Sequence, residues 1–330
     1  MARNKRKVVK DKEKFKKIRK EARKRWRNKK AYEKVLKNAQ KELVPGKLAS
    51  EKISSPVAQL PEKTAPKDAA KSKRQVEHRH VRELDPSLIV RSEKFLGCGS
   101  FGNCYLAHYR DVLVAVKEFK AETFGRDNMK KEVRHEAKMI NHLEDHRGVP
   151  LLFGIVTKSE PLRLITKFHG RKDKSVTLSN LIRKKKLDKP TWLGILQNTI
   201  EALDHIHSCG ILHNDLKSNN VVMEQREQKW NPVIIDFGKA RFFSDPKPVM
   251  SLPEVKQEKY KKRYPHIAPE IVNGSGRQSY ASDIYSLSKI VLAVLDLLPT
   301  ATSRSLRVAK RALCEEPDER PSLKDMLAAL

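Results

Sequence analysis

The chain has 330 residues, of which 70 are Lys or Arg and 40 are Asp or Glu, for a net charge of +30. That length admits one large domain, or two lobes with their own cores, plus an appendage. The four cysteines show no CxxC pairing and no histidines at metal-ligand spacing, and no run approaches about 18 apolar residues. A disulfide framework, a structural zinc site, a membrane span and an ordinary secretory signal are therefore not expected, and a reducing intracellular compartment is.

The charge is uneven: residues 1–50 hold 21 basic and 5 acidic side chains, residues 51–94 hold 10 and 7, and residues 95–330 hold 39 and 28. A field so concentrated attracts nucleic acid, anionic membrane or acidic protein and is silent on fold. Residues 1–43 are expected as a basic segment with a helix, because Phe15, Ile18, Ala22 and Trp26 recur at helical spacing. Its many cations and few aromatics suit sequence-independent contact with a phosphate backbone, so RNA or another polyanion is an expected partner. Clusters such as RKRWRNKK serve nuclear import equally well, which points to nucleus or nucleolus and leaves the two roles open. Residues 44–84, with prolines at 45, 56, 61 and 66 and no periodicity, are expected as a disordered linker.

From Ser87 to Lys120 the chain alternates like antiparallel strands around a Gly-rich turn and a tight Arg110-Asp111 hairpin. A long helix is expected from about Arg126 to Leu143, then two strands in LLFGIVTK and LRLITKF. Trp192, Ile195, Leu196, Ile200, Leu203 and Ile206 repeat with helical period across Thr191 to His207. The remainder reads as mostly helical, with helices from Ser282 and around Arg304 to Cys314.

Chemistry enters with GCGSFGNC (residues 97–104), three glycines where backbone must come close to something. A lone GxGxxG also serves dinucleotide folds, but here it precedes a strand and does not open a helix, which disfavours that use. VAVK ends in Lys117, and Glu136 follows 19 residues later on the expected helix, a placement suited to an ion pair at nucleotide phosphates. HNDLKSNN (213–220), IIDFGKA (234–240) and APE (268–270) follow in order. The set resembles the eukaryotic protein kinase family over about residues 90–330, and the HNDLKSNN loop is most similar to the tyrosine-kinase-like branch of serine/threonine kinases.

The resemblance implies an α+β, bilobal protein kinase-like fold in a domain over 85–330, with a small β-rich lobe at about 88–168 and a large, mostly helical lobe at about 169–330. It implies ATP and Mg2+ as cofactors and a protein substrate. Gly97, Gly99 and Gly102 would cover the phosphates, Lys117 would pair with Glu136, and Asn220 and Asp236 would hold magnesium. Asp215 would accept or orient the substrate hydroxyl proton, with Lys217 near the γ-phosphate. Cys104 and Ala115 would press on the adenine from above and Val222 from below, with Thr166 at the back and Lys167 to His169, including Phe168, as the hinge. Ile140, His213 and Phe237 would stack above Asp283, and Arg320 would pair with Glu270.

Three departures qualify the resemblance. Asn214 stands where many regulated kinases carry an arginine that meets a loop phosphate, so Ser244, Ser251 and Tyr260 are not expected as switch sites. Arg263 stands where serine/threonine kinases usually place a threonine beside the catalytic aspartate, which leaves substrate class open. Only 37 residues separate Asp283 from Arg320, so a helix that docks partners in most kinases is expected to be missing, whereas Gly238 to Ala268 is expected as a long basic loop. The rival readings are a pseudokinase scaffold and an RNA-binding or nucleolar protein with an incidental kinase domain.

Overall fold

Alternating residues after Ser87 become strands β1 (Ile89–Cys98), β2 (Gly102–Tyr109) and β3 (Val112–Phe119), which β4 (Leu152–Val156) and β5 (Arg163–Lys167) complete as an antiparallel sheet in the order β1-β2-β3-β5-β4. The computed structural model describes residues 80–99, 102–120, 125–143, 145–227, 229–298 and 302–330; the expected basic segment and the linker up to residue 79 lie outside the described residues. Arg110 and Asp111 both have positive φ, 46° and 66°, the left-handed pair that lets two residues close a hairpin without splaying its strands.

Strand register positions half of the candidate site. Cys104 pairs with Lys117 and Ala115 with Thr166, and Ala115 and Lys117 are two residues apart, so all four share one face. The other face buries Tyr105, Ala107, Val114, Val116 and Ile165 together with Ile89, Val156 and Leu84.

Leu84 marks a correction. Residues 82–84, assigned above to the linker, lie parallel beside β4: the Leu84 N–H donates to Ile155 O at 2.8 Å and the Ile155 N–H to Arg82 O at 2.9 Å. The Glu83 carboxylate accepts from the Thr157 hydroxyl and the Lys158 N–H, both at 2.9 Å. Gly154, at φ 155°, makes room, since a Cβ there would stand 2.4 Å from Arg82 O. Three residues are too short for any periodicity to register, so composition concealed this strap.

Helix α1 (Arg126–His142) turns Met129, Val133, Glu136, Ala137 and Ile140 inward at spacings of three and four. In the large lobe, α2 (Leu178–Lys184) precedes α3 (Lys189–Ser208), which Asp188 caps by accepting from the Thr191 N–H at 3.1 Å and which buries the apolar series expected of it. The remainder is less helical than the sequence suggests. Short β6 (Ile211–Leu212) pairs with β9 (Arg241–Phe242), and β7 (Val221–Arg226) forms a hairpin with β8 (Lys229–Ile234). Val221 to Glu224 are all buried, so β7 shows none of the alternation that reveals a half-exposed strand.

The expected loop from Gly238 to Ala268 contains α4 (Glu254–Arg263), which buries no residue and so has no apolar stripe to be read. Glu254 in its first turn and Lys261, Lys262 and Arg263 in its last complement the helix dipole. After α5 (Pro269–Asn273), α6 (Tyr280–Leu295) starts two residues before Ser282, because Ser279 and Ser282 form a reciprocal capping box. Between Leu295 and Ser303 the described residues form no helix; α6 packs directly on α7 (Ser303–Arg311), with the Ser288 hydroxyl on the Ala309 carbonyl, and α8 (Leu323–Ala328) follows. No described helix is long and apolar enough to cross a membrane.

Candidate active site

The sheet and α1 meet at Lys117. Its ammonium donates to both oxygens of Glu136, at 2.9 and 2.7 Å, and to Asp236 Oδ1 at 2.9 Å. Burial works against charge on Lys117, but Glu136 and Asp236 outweigh it and hold the ammonium charged, well above the usual lysine range. Burial likewise opposes ionisation of Asp236, and the charge of Lys117 overrides it, keeping the carboxyl below its ordinary range. Asp236 takes a left-handed backbone, φ 71° and ψ 70°, ahead of the single helical turn Phe237–Lys239 against which α1 packs.

A second centre forms around Asp215, on the loop between β6 and β7. The residue is 4% exposed. Lys217 Nζ donates to Oδ2 at 2.7 Å, while Lys239 Nζ and His266 Nε2 both lie 3.0 Å from Oδ1. Burial pushes the carboxyl pKa up, and the hydrogen bond to His266 with the charges of Lys239 and Lys217 drives it far below the carboxylate range. Asn220 donates its Nδ2 to the Asp215 carbonyl at 2.9 Å, which leaves Asn220 Oδ1 for another partner, and the Ile235 N–H on Asn220 O at 2.8 Å ties this loop to Asp236.

Asp283, in the first turn of α6, holds the loop from below. It is 1% exposed and accepts from the backbone N–H of His213 (2.7 Å) and Asn214 (2.9 Å) and pairs with His207 at 3.1 Å. Asn214 sits at φ 62°, a conformation Asn tolerates better than most residues, and its Nδ2 donates to the Lys239 carbonyl. The rings of His213 and Phe237 meet edge to face at 5.0 Å inside the core that also contains Ile140. Arg320, its side chain fully buried, grips Glu270 through two bonds of 2.8 and 2.7 Å, so removing either partner strands a buried charge.

The three glycines differ. A Cβ on Gly102 would stand 2.0 Å from Glu118 O, so the neighbouring strand already excludes a side chain there. Among the described residues nothing stands within 4 Å of a Cβ on Gly97 or Gly99. Ser100 and Phe101 lie outside the described residues. Asp236 and Asn220 offer oxygen donors suited to a hard cation such as magnesium. Among the described residues no group of three or more His, Cys, Asp or Glu side chains could hold a metal by itself.

Around this centre, Val222 is 6% exposed, and the Cys104 thiol is pushed up to about 11 by burial, so it packs as a small neutral group. The Phe168 ring lies against Gly170, and its N–H donates to Leu113 O at 3.3 Å. Beneath the hinge Glu224 gathers Lys167 (3.3 Å), His169 (3.3 Å) and Arg226 (2.7 Å).

The sequence reading missed His266, Lys239, His207 and Glu224. Arg263, at the position where the resemblance expects a threonine, ends α4 with its guanidinium 5.3 Å above the Tyr264 ring; His266, three residues on, stands at Asp215. Neither His266 nor Lys239 lies on a periodic element, and only their places next to APE and DFG could have drawn attention.

Residues 90–315 match the family described as protein kinase domain. A G-type lectin S-receptor-like serine/threonine-protein kinase of Arabidopsis thaliana is 29% identical over 204 residues, 61% of this chain and 23% of the relative. A probable serine/threonine-protein kinase of Dictyostelium discoideum is 25% identical over 259 residues, 70% of this chain and 58% of the relative. Mitogen-activated protein kinase kinase kinase 3 of Arabidopsis thaliana is 26% identical over 220 residues, 64% of this chain and 32% of the relative. Each match thus spans less than two thirds of the relative's own length. With two thirds of its length inside the family match, this chain belongs to the protein kinase family.

Proposed function

We propose that the chain is an active kinase that transfers the γ-phosphoryl group of magnesium-bound ATP to protein hydroxyls, serine or threonine in preference to tyrosine. The observation that carries this reading is Asp215, a carboxylate 4% exposed yet held ionised by Lys217, Lys239 and His266 beside Asn220.

Magnesium-ATP, when bound, supplies the transferable group and the cation that offsets charge on its oxygens. Lys117, aimed by Glu136, would hold the α and β phosphates through its ammonium. Asn220 Oδ1 and the Asp236 oxygen not engaged by Lys117 are the atoms left to hold the metal. Asp215 would orient the substrate hydroxyl and accept its proton. The Lys239 side chain, 41% exposed, could yield its place at Asp215 Oδ1 to that hydroxyl, and Lys217, on Oδ2, would be the cation nearest the γ-phosphate. The serine/threonine preference rests on Lys217 and on relatives named as serine/threonine-protein kinases.

The test is incubation of the full chain with labelled ATP, magnesium and an array of serine, threonine and tyrosine peptides. Label on serine and threonine peptides is expected. No label on any peptide would refute catalysis and favour a scaffold.

We further propose that residues 1–79 address the domain to nucleus, nucleolus or RNA, supported by their net charge of +19. Because residues 82–84 belong to the domain, fluorescent fusions should be divided after residue 79 and not at Asp85. Nuclear or nucleolar concentration is expected of the 1–79 fusion alone; its uniform spread would refute the address.

A further inference from the structure

Away from the active site, the large lobe carries an apolar depression of about 370 Å³ between α2 and the β7–β8 hairpin. Its floor is Val176, Leu181, Leu187 and Trp230, which are the outer edge of the main core. Two local features open it. The Arg171–Lys174 turn bends the chain away from β7 between the bonds that Gly170 O and Val176 O accept from it, and Lys185 ends α2 in the left-handed conformation at φ 51°, with Leu187 lining the depression before Asp188 caps α3.

The rim is of one sign. Arg171, Lys184 and Lys186 line it, all are exposed, and among the described residues none has a carboxylate within ion-pair distance. Between Gly170 and Lys189 there are seven Lys or Arg and two Asp. Both aspartates are occupied, Asp173 by Lys94 and Asp188 by the Thr191 N–H, and nearby Glu224 is spent on Lys167, His169 and Arg226. An uncompensated cationic ring around an apolar floor is complementary to one kind of ligand, a bulky apolar side chain with acidic neighbours.

We propose that this depression is a docking site for a linear peptide segment of a partner protein, in which one or two large apolar residues are flanked by Asp and Glu. The volume lies at the low end of ligand sites and takes one or two side chains, which suits a weak, reversible tether. The apolar floor is the observation that favours a peptide over RNA: a phosphate backbone would use the cations and leave Leu187 and Trp230 uncovered. Binding here involves none of the groups around Lys117 or Asp215, so it stands or falls separately from phosphoryl transfer.

The probe is an Asp- and Glu-rich peptide with a central Phe-Leu pair, the Phe replaced by photoreactive benzoylphenylalanine, offered to the full chain. Adducts are expected within residues 170–189 or at Trp230. By fluorescence anisotropy, Lys184→Glu with Lys186→Glu is expected to raise Kd about tenfold, and Trp230→Ala by a similar factor. Leu187→Ala replaces Trp230→Ala if thermal melting shows that variant unfolded. The charge-reversed protein should still phosphorylate peptides lacking an acidic run at the unaltered rate. Adducts confined to residues 1–79 or to α4 would overturn the proposal. So would affinity that responds to charge reversal but not to loss of the floor, with oligouridine displacing the peptide equally; the patch would then be a polyanion site.

Discussion

Lys117 and Asp215 are built as opposites. At Lys117 one cation stands between two carboxylates; at Asp215 one carboxylate stands among two lysines and a histidine. In the proposed function the first centre would offer a positive charge to phosphates, and the second would keep a negative charge beside them. They also differ in how they are made. Lys117 and Glu136 sit on a strand and a helix whose periods fix their directions, whereas every partner of Asp215 comes from a loop or a single turn.

The largest expected effect separates the two centres by role. Asp215→Asn should lower kcat about 10³-fold while leaving ATP affinity nearly unchanged, because it removes orientation and proton acceptance and no phosphate contact. Lys117→Met should abolish turnover too, but with weakened ATP binding, and it strands the buried Glu136 carboxylate at a stability cost of about 3–5 kcal/mol. Turnover with radiolabelled ATP, nucleotide titration and chemical unfolding together decide this. If both variants lost ATP affinity equally, the division of labour would be wrong.

A smaller effect tests whether His266 belongs to the Asp215 centre or merely packs beside it. His266→Ala should reduce kcat about 10- to 100-fold with little change in KM for ATP, since it loosens the carboxylate that orients the hydroxyl. His266→Gln, which keeps an N–H donor at similar reach, should restore most of the loss. Equal damage from both variants would leave His266 as filler.

This contrast explains what was legible beforehand. The VAVK segment and the separation of 19 residues to an expected helix pointed to Lys117 and Glu136, and the motif order gave Asp215, Asn220, Asp236, Asp283 and Arg320 through the family resemblance. His266 and Lys239 were not legible because their positions depend on how the chain from Phe237 to Ala268 folds back, and α4 within it has no buried face to announce itself. The strap at Arg82–Leu84 was hidden for the opposite reason, a single buried leucine at the end of a linker-like composition. Helix and strand periods report burial on one side only; loops, two-sided strands and unburied helices escape them.

Glu224 sharpens the comparison, because it too is a carboxylate among cations yet lies under the hinge, away from the transferred group. Burial raises its pKa, and the hydrogen bonds of His169 and Arg226 with the charge of Lys167 outweigh that and lower it to about 2. A depressed carboxylate stabilises the fold above its unfolded pKa of about 4.5, and that contribution drains away as pH falls toward 2. Glu224→Gln should cost up to about 3 kcal/mol at pH 7 and progressively less below pH 4.5, with kcat nearly unchanged. Unfolding curves of both proteins across that range measure the gap. A gap independent of pH would mean that packing, not charge, holds Glu224.

The smallest effect concerns the activation stretch itself. Asn214 offers no charge to a loop phosphate; its Nδ2 is given to the Lys239 carbonyl, and its Oδ1 is buried with no hydrogen-bond partner among the described residues. Ser251 is no better placed, since its hydroxyl faces the carbonyls of Leu252 and Asn273 and its backbone lies against Gly274, where a Cβ would stand 2.6 Å from Ser251 Cα. A phosphate there would meet acceptors and a close-packed turn, where an ordering switch needs a waiting cation. The Asp215 centre meanwhile draws its order from Lys217, Lys239 and His266, three groups that need no modification to act. Phosphatase treatment of the purified chain should therefore change kcat by less than about twofold, an effect of well under 1 kcal/mol. A loss of tenfold or more, reversed by rephosphorylation at Ser244, Ser251 or Tyr260, would show that a loop phosphate organises this centre after all and that the three groups around Asp215 are insufficient.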